Sequence, residues 1–162
     1  MKIRTVALAV IKRNEDQILV HEFRFPGHPI TFYRPLGGTV EFGENSKSTL
    51  IRELKEELNQ DVEEPNLIAV IENIFGTEND MGHEIDFIYE ATFKDHSQYL
   101  WEEVPAIEGE ERFVARWVPI QFFVDADKDV RLVPDGLLGL LTNQDRENQQ
   151  EITHVKTSSI HK

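Results

Sequence analysis

The residues Gly37-Gly38-Thr39-Val40-Glu41-Phe42-Gly43-Glu44-Asn45 run into Ser46-Lys47-Ser48-Thr49-Leu50-Ile51-Arg52-Glu53-Leu54-Lys55-Glu56-Glu57-Leu58-Asn59, and this stretch decides the reading of the chain. Its second half predicts a helix over Glu44 to Asn59. Leu50, Leu54 and Leu58 recur every four residues with Ile51 beside them, and no Gly or Pro interrupts the run after Asn45. Asn45, Ser46 or Ser48 suits the start, and Asn59 suits a left-handed end. Each residue advances about 100° around a helix, so Glu53, Glu56 and Glu57 share an arc of roughly 100°, while the leucines bury the other side. Like charges so spaced repel by a few tenths of a kcal/mol each unless a cation neutralises them. A helix face of this kind is by itself more often a solvated surface. The preceding segment changes that balance, because Gly37-Gly38 and Gly43 frame Thr39 to Phe42, read as a short strand between tight turns that delivers Glu44 to the helix start.

Those residues resemble the signature of the Nudix (MutT-type) hydrolase superfamily: Gly, five of any residue, Glu, seven of any, then Arg-Glu-apolar-any-Glu-Glu-any-Gly-apolar. Gly38, Glu44, Arg52, Glu53, Leu54, Glu56 and Glu57 match it position by position. Asn59 stands for the usual Gly and Gln60 for the usual apolar residue, departures that bear on how the helix ends, and Val62 is placed to supply the missing apolar contact. The resemblance implies an α+β fold, the Nudix-type α/β/α sandwich with a central mixed β-sheet. It implies a pyrophosphohydrolase in which water attacks phosphorus in a nucleoside diphosphate linked to another moiety, or in a nucleoside triphosphate. By the same analogy Glu53, Glu56, Glu57 and the Gly38 carbonyl hold Mg²⁺, with Mn²⁺ as a substitute. Arg52 orients the carboxylates and Glu44 braces the loop. Glu53 is the favoured general base, with Glu108, Glu110 and Glu111 in a later acidic loop as alternatives. A nucleotide-sensing module of the same fold without catalysis is the rival, and the intact glutamate set argues against it. Isomerisation of an isoprenoid diphosphate resembles a chemistry that uses a cysteine, which this chain lacks.

The remaining sequence bounds these expectations. At 162 residues and 40% hydrophobic composition the chain has room for one core, read as residues 1–141, with the polar stretch 142–162 as a frayed or partly helical tail. Without cysteine there is no disulfide scaffold or thiolate metal site, which fits a reducing, cytoplasmic setting. A formal net charge of −13 repels polyanions, so nucleic acid is excluded as a main partner, and no apolar run is long enough for a membrane helix. The expected partner is a small nucleotide-type diphosphate, bound by a monomer or homodimer.

Thr5 to Ile11 and Gln17 to Phe23 flank the turn-rich Asn14-Glu15-Asp16 and read as a hairpin. Leu67 to Phe75 and Glu84 to Phe93 read as strands around a polar loop, Gly76 to Gly82. Val114 to Pro119 reads as a further strand and Leu132 to Leu141 as a helix beginning near Pro134. Arg24, Phe32, Tyr33 and Arg34 lie near the expected mouth of the site, where a ring would stack on a base and an arginine pair with phosphate. His83 reads as an ordinary surface histidine. Gly38 to Gly43 has the glycine spacing of a phosphate-binding P-loop without its lysine, and that reading fails.

Overall fold

In the computed structural model, which describes residues 1–142 and 151–156, the chain forms one mixed sheet with helices on both faces. The elements run β1 (Arg4–Val10), β2 (Lys12–Arg13), β3 (Gln17–Phe23), β4 (Thr31–Thr39), α1 (Ser46–Leu58), β5 (Asn66–Thr77) and β6 (Asp80–Glu90). A 3-10 turn over His96–Leu100 leads to β7 (Glu103–Glu108), β8 (Glu111–Pro119), α2 (Ile120–Val124), β9 (Val130–Leu132), α3 (Leu137–Thr142) and β10 (Glu151–Lys156). The strand order is β10-β5-β6-β1-β4-β3-β8-β7, with β2 on β3 and β9 on β4. Leu50, Leu54 and Leu58 of α1 bury against Ala7, Ala9, Leu19, Leu36, Ala115 and Trp117. Phe123 of α2 and Leu137 of α3 bury on the opposite face against Val6, Leu8, Val10 and Ile88. This is the sandwich the signature implied. No helix of the described residues is long and apolar enough to cross a membrane.

Pairing departs from the sequence reading where it is non-local. Val6 to Ile11 are all 0 or 1% exposed, so β1 is a central strand covered on both faces. It takes β4 as its antiparallel neighbour and β6 as its parallel one. The expected hairpin therefore shrinks to Lys12–Arg13 against Gln17 and Ile18, beyond a turn with positive φ at Asn14 and Glu15. No separate strand forms over Thr39 to Phe42, because β4 passes straight through Gly37 and Gly38 and only then turns. β5 and β6 pair almost to their tip, Thr77 opposite Asp80, so most of the expected loop 76–82 is strand. The acidic segment 102–111 is likewise the hairpin β7–β8, turning at Gly109 and Glu110, with Glu108 opposite Glu111. The C-terminal helix begins at Leu137, after a cis Val133–Pro134 bond. In the tail, Glu151–Lys156 is a strand parallel to β5 where fraying or helix was expected. Its Ile152, Thr153 and Val155 are β-branched and favour a strand once a sheet edge is on offer.

The catalytic-type helix carries its own boundary signals. Asn45 Oδ1 accepts a hydrogen bond from Ser48 N at 2.9 Å, and Asn59 closes the helix at φ 53°, ψ 37°, donating to Lys55 O at 3.0 Å. Val62 is buried in the same core as Leu58, the apolar contact expected after the cap. Asn tolerates the left-handed conformation far better than Ala. Asn59→Ala is expected to cost about 1 kcal/mol in urea denaturation, and Asn59→Gly to stay within a few tenths of the wild type.

Candidate active site

The α1 carboxylates are organised by a single guanidinium. Arg52 Nε and Nη2 donate to the two oxygens of Glu44 at 2.8 and 2.9 Å. Its Nη1 donates to Glu53 Oε1 at 3.1 Å and to both oxygens of Glu56 at 3.2 Å. Glu44 in turn accepts from the Thr49 hydroxyl at 2.7 Å and from the Glu41 amide at 3.4 Å, so it ties the loop to the helix. The Arg52 guanidinium, followed by the Thr49 hydroxyl, pulls the Glu44 carboxyl down to about 2. Glu44, first of its partners, holds the Arg52 proton more firmly than usual. A fork donor matched to three carboxylates is a task lysine cannot do.

Glu53 and Glu57 lie deeper. Glu53 sits against Gly38 so closely that a Cβ there would meet its carboxyl group. Burial is the first cause raising Glu53, against the pull of Arg52. Glu57 is 6% exposed, and its Oε2 is buried with no hydrogen-bond partner. Burial, then Glu53, then Glu108 push its carboxyl up to about 8, while the Gly37 amide and Arg34 pull the other way. Two acids on one helix thus differ in kind: Glu56 is exposed and ion-paired, Glu57 enclosed with one oxygen unsatisfied.

Other residues singled out by sequence divide. Arg34 faces the site, acting on Glu57, and its Nη2 lies 3.9 Å from Glu84 Oε2. Glu84 also pairs with Arg4 at 2.6 Å. Tyr33 does not face the site: it packs edge-on against Phe122 and Phe123 with the opposite core. Adjacent strand residues point to opposite faces, so Arg34 and Tyr33 were never candidates together. Glu108 is brought towards Glu53 and Glu57, whereas Glu111 is exposed across the hairpin from it. His83 pairs with Glu72 at 3.0 Å, away from the stripe. Sequence reasoning named Glu84 only beside His83, at the opening of a strand that could face the site, and missed Asp86 two residues on. Asp86 is fully buried, receives no N–H or hydroxyl hydrogen bond, and is raised chiefly by burial and then by Glu84. Their alternation on one strand face was the only signal.

Among the described residues no three carboxylate or imidazole groups converge as the ligands of one ion. Arg52 draws Glu53 and Glu56 to itself, and Glu57 turns towards Gly37. The donors nevertheless fit a hard divalent cation. All are oxygens, Glu57 Oε2 is a buried acceptor without a partner, and Glu53 occupies the space that glycine leaves at position 38.

Comparison with known proteins agrees with this fold. The NUDIX domain model matches residues 2–135. No curated protein matches the chain. Among solved structures, a MutT NUDIX hydrolase from Burkholderia pseudomallei superposes with a TM-score of 0.61 at 21% identity, covering 91% of this chain and 100% of that one. The MutT protein of Bacillus halodurans gives 0.60 at 16% identity over 94% and 90%. An ADP-ribose pyrophosphatase from Streptococcus suis gives 0.56 at 16% over 94% and 98%. At these identities the likeness is one of fold. The family model, spanning most of the chain and the whole signature, carries the assignment: the chain belongs to the Nudix family and is a hydrolase of that family.

Proposed function

We propose that the chain is a divalent-metal-dependent pyrophosphohydrolase, cleaving the diphosphate of a nucleoside diphosphate linked to another moiety, or of a nucleoside triphosphate. The observation that carries this reading is the pairing of an Arg52-ordered carboxylate stripe with an enclosed Glu57 whose Oε2 has no hydrogen-bond partner. Glu53, Glu56, Glu57 and the Gly38 carbonyl would hold Mg²⁺, or Mn²⁺ in its place. When bound, the ion supplies charge neutralisation on the phosphates and a more acidic water. The protein's own groups do the rest. Arg52 and Glu44 order the Glu53 and Glu56 carboxylates on one stripe of α1, from which they would turn to the ion. Glu53, half-enclosed and raised by burial, takes the proton of the attacking water. Glu108, at the strand end facing Glu57, is the second candidate for that proton. Arg34 offers a cation to substrate phosphate beside them. In this reading residues 1–141 are the catalytic domain, and β10 of the tail extends its sheet.

The test is a panel of nucleoside-diphosphate and nucleoside-triphosphate substrates with Mg²⁺ and phosphate detection, comparing wild type with Glu56→Gln. We expect cleavage of at least one by the wild type and a loss of about 10²-fold or more in kcat for the variant. Absence of cleavage across the panel, or full rate in the variant, overturns the reading. Hydrolysis in ¹⁸O-water identifies the phosphorus attacked.

A further inference from the structure

The sheet has two ends, and they are protected differently. At one end lies β7, six residues long, Glu103-Val104-Pro105-Ala106-Ile107-Glu108, with a proline inside it and a glutamate at each terminus. Proline has no N–H to donate and charged side chains resist a further strand, so this edge is blunted by its own sequence. β5, near the other end, has none of these devices. It is 12 residues long, contains no proline, lysine or arginine, and runs Leu67-Ile68-Ala69-Val70-Ile71 without a polar residue; Glu72 is its one charge. A long, β-prone and nearly uncharged strand with a free row of N–H and C=O groups is a template for another chain. What covers it is β10, where Glu151 to Lys156 pair in parallel with Ala69 to Ile74. The outermost strand then has six residues, among them Glu151, His154 and Lys156, in place of 12 mostly apolar ones.

We propose that β10 is a guard strand, and that the β5 edge it covers is a self-association surface that joins two copies of this chain through β5 itself once β10 is out of place. The occupant follows from the sequence of the strand. Antiparallel pairing about a two-fold axis at Ala69 sets Leu67 against Ile71 and Glu72 against Asn66, so apolar side chains meet across the join and no like charges oppose. A foreign strand must be supplied, whereas a second β5 edge comes with every released molecule. The pair uses both β5 edges and leaves only the two blunt β7 edges outside, so it closes as a dimer and does not grow into a fibre. The C-terminal strand thus has a task separate from hydrolysis, and the inference stands independently of the substrate reading.

Adjacent residues of a strand turn their N–H groups to opposite sides, so of Thr153 and His154 one donates towards β5 and the other away from it. Proline at the first position removes a ladder bond. Full-length Thr153→Pro and His154→Pro are therefore compared with the wild type by hydrogen exchange and by sedimentation velocity. We expect at least one of them to exchange the β10-facing amides of Ala69 to Ile74 about tenfold faster or more, and to raise the weight-average mass about twofold. The amides of the central strand, Val6 to Val10, should stay protected and report that the fold is kept. A synthetic peptide of residues 149–158 in excess should cover the edge again and return the mass to the wild-type value, while a scrambled peptide leaves it raised. Freed β5 amides with no rise in mass overturn the association surface, and β5 amides that stay protected in both variants overturn the guard. A raised mass that the native peptide does not lower places the association elsewhere and overturns the proposal as well.

Discussion

Glu57→Gln is expected to raise the stability of the metal-free protein at pH 8 while it abolishes hydrolysis. The sign follows from linkage. The Glu57 carboxyl titrates at about 8 in the fold against an ordinary value of 4.5, so between those pH values the native state keeps a proton that the unfolded chain releases. Stability contributed by the neutral form is full below about 4.5 and is lost as pH rises towards 8. A glutamine at 57 stays neutral throughout, and its amide can donate to the neighbouring Glu53. The variant should therefore gain on the order of 2 kcal/mol at pH 8, discounted from the full shift, and little at pH 4.5. A thermal melt in chelator at the two pH values reads this directly, as several degrees for a chain of this size. Mg²⁺ should stabilise the wild type more than the variant, by mass action on the native state. Hydrolysis should fall by about 10²- to 10³-fold. A variant less stable than wild type at pH 8, or a difference independent of pH, would show that Glu57 is comfortable where it is and would remove the reason to assign it to the chemistry. A group that costs stability at the working pH is what a site evolved for function retains.

How much of this was legible before the fold was known depends on how far apart the interacting residues lie in the chain. Helix α1 was readable to within two residues at its start because its signals are local: leucines every fourth position, a capping Asn45, and an Asn59 suited to φ 53°. The Arg52 pairs with Glu53 and Glu56 follow from helical geometry, and the motif placed Glu44 beside them. Strand partners were less legible. The hairpin expected between β1 and β3 rested on adjacency in sequence, yet the all-apolar run Val6 to Ile11 demanded a central place, and only the whole sheet supplies β4 and β6 as its neighbours. Tyr33 was misplaced by one residue's worth of strand, enough to move it to the other face. The stacking of His21 on Phe113 joins strands whose pairing no local pattern announces, so His21 was read only as a member of the strand Gln17 to Phe23 and Phe113 fell outside the strand expected over Val114 to Pro119. Asp86, charged in sequence and wholly buried in the fold, contradicted its own local preference, which is where sites and strain concentrate.

The two glycines at the end of β4 should respond to the same substitution in opposite ways. At Gly37 the backbone has φ 152°, and an added Cβ would drive into the Ala7 carbonyl oxygen of the central strand β1. That oxygen belongs to a ladder with both neighbours in place, so it has nowhere to go without breaking the pairing of Leu8 with Gly37. Gly37→Ala is expected to cost about 3 kcal/mol or more, read as a lower urea midpoint, with activity lost only in proportion to unfolded protein. At Gly38 the φ is ordinary, and the Cβ would meet the carboxyl of Glu53, the far end of a flexible side chain. Glu53 can swing away at small energetic cost, but it then leaves the Arg52 nitrogen that holds it at 3.1 Å. Gly38→Ala is therefore expected to change stability by less than about 1 kcal/mol and to lower kcat by about 10²-fold, with KM little affected. Folded Gly38→Ala enzyme with normal turnover would mean that the position of Glu53 does not matter to the reaction. The same change at neighbouring residues thus separates the backbone that carries the fold from the side chain that carries the chemistry, because one contact is with a fixed carbonyl and the other with a movable carboxylate.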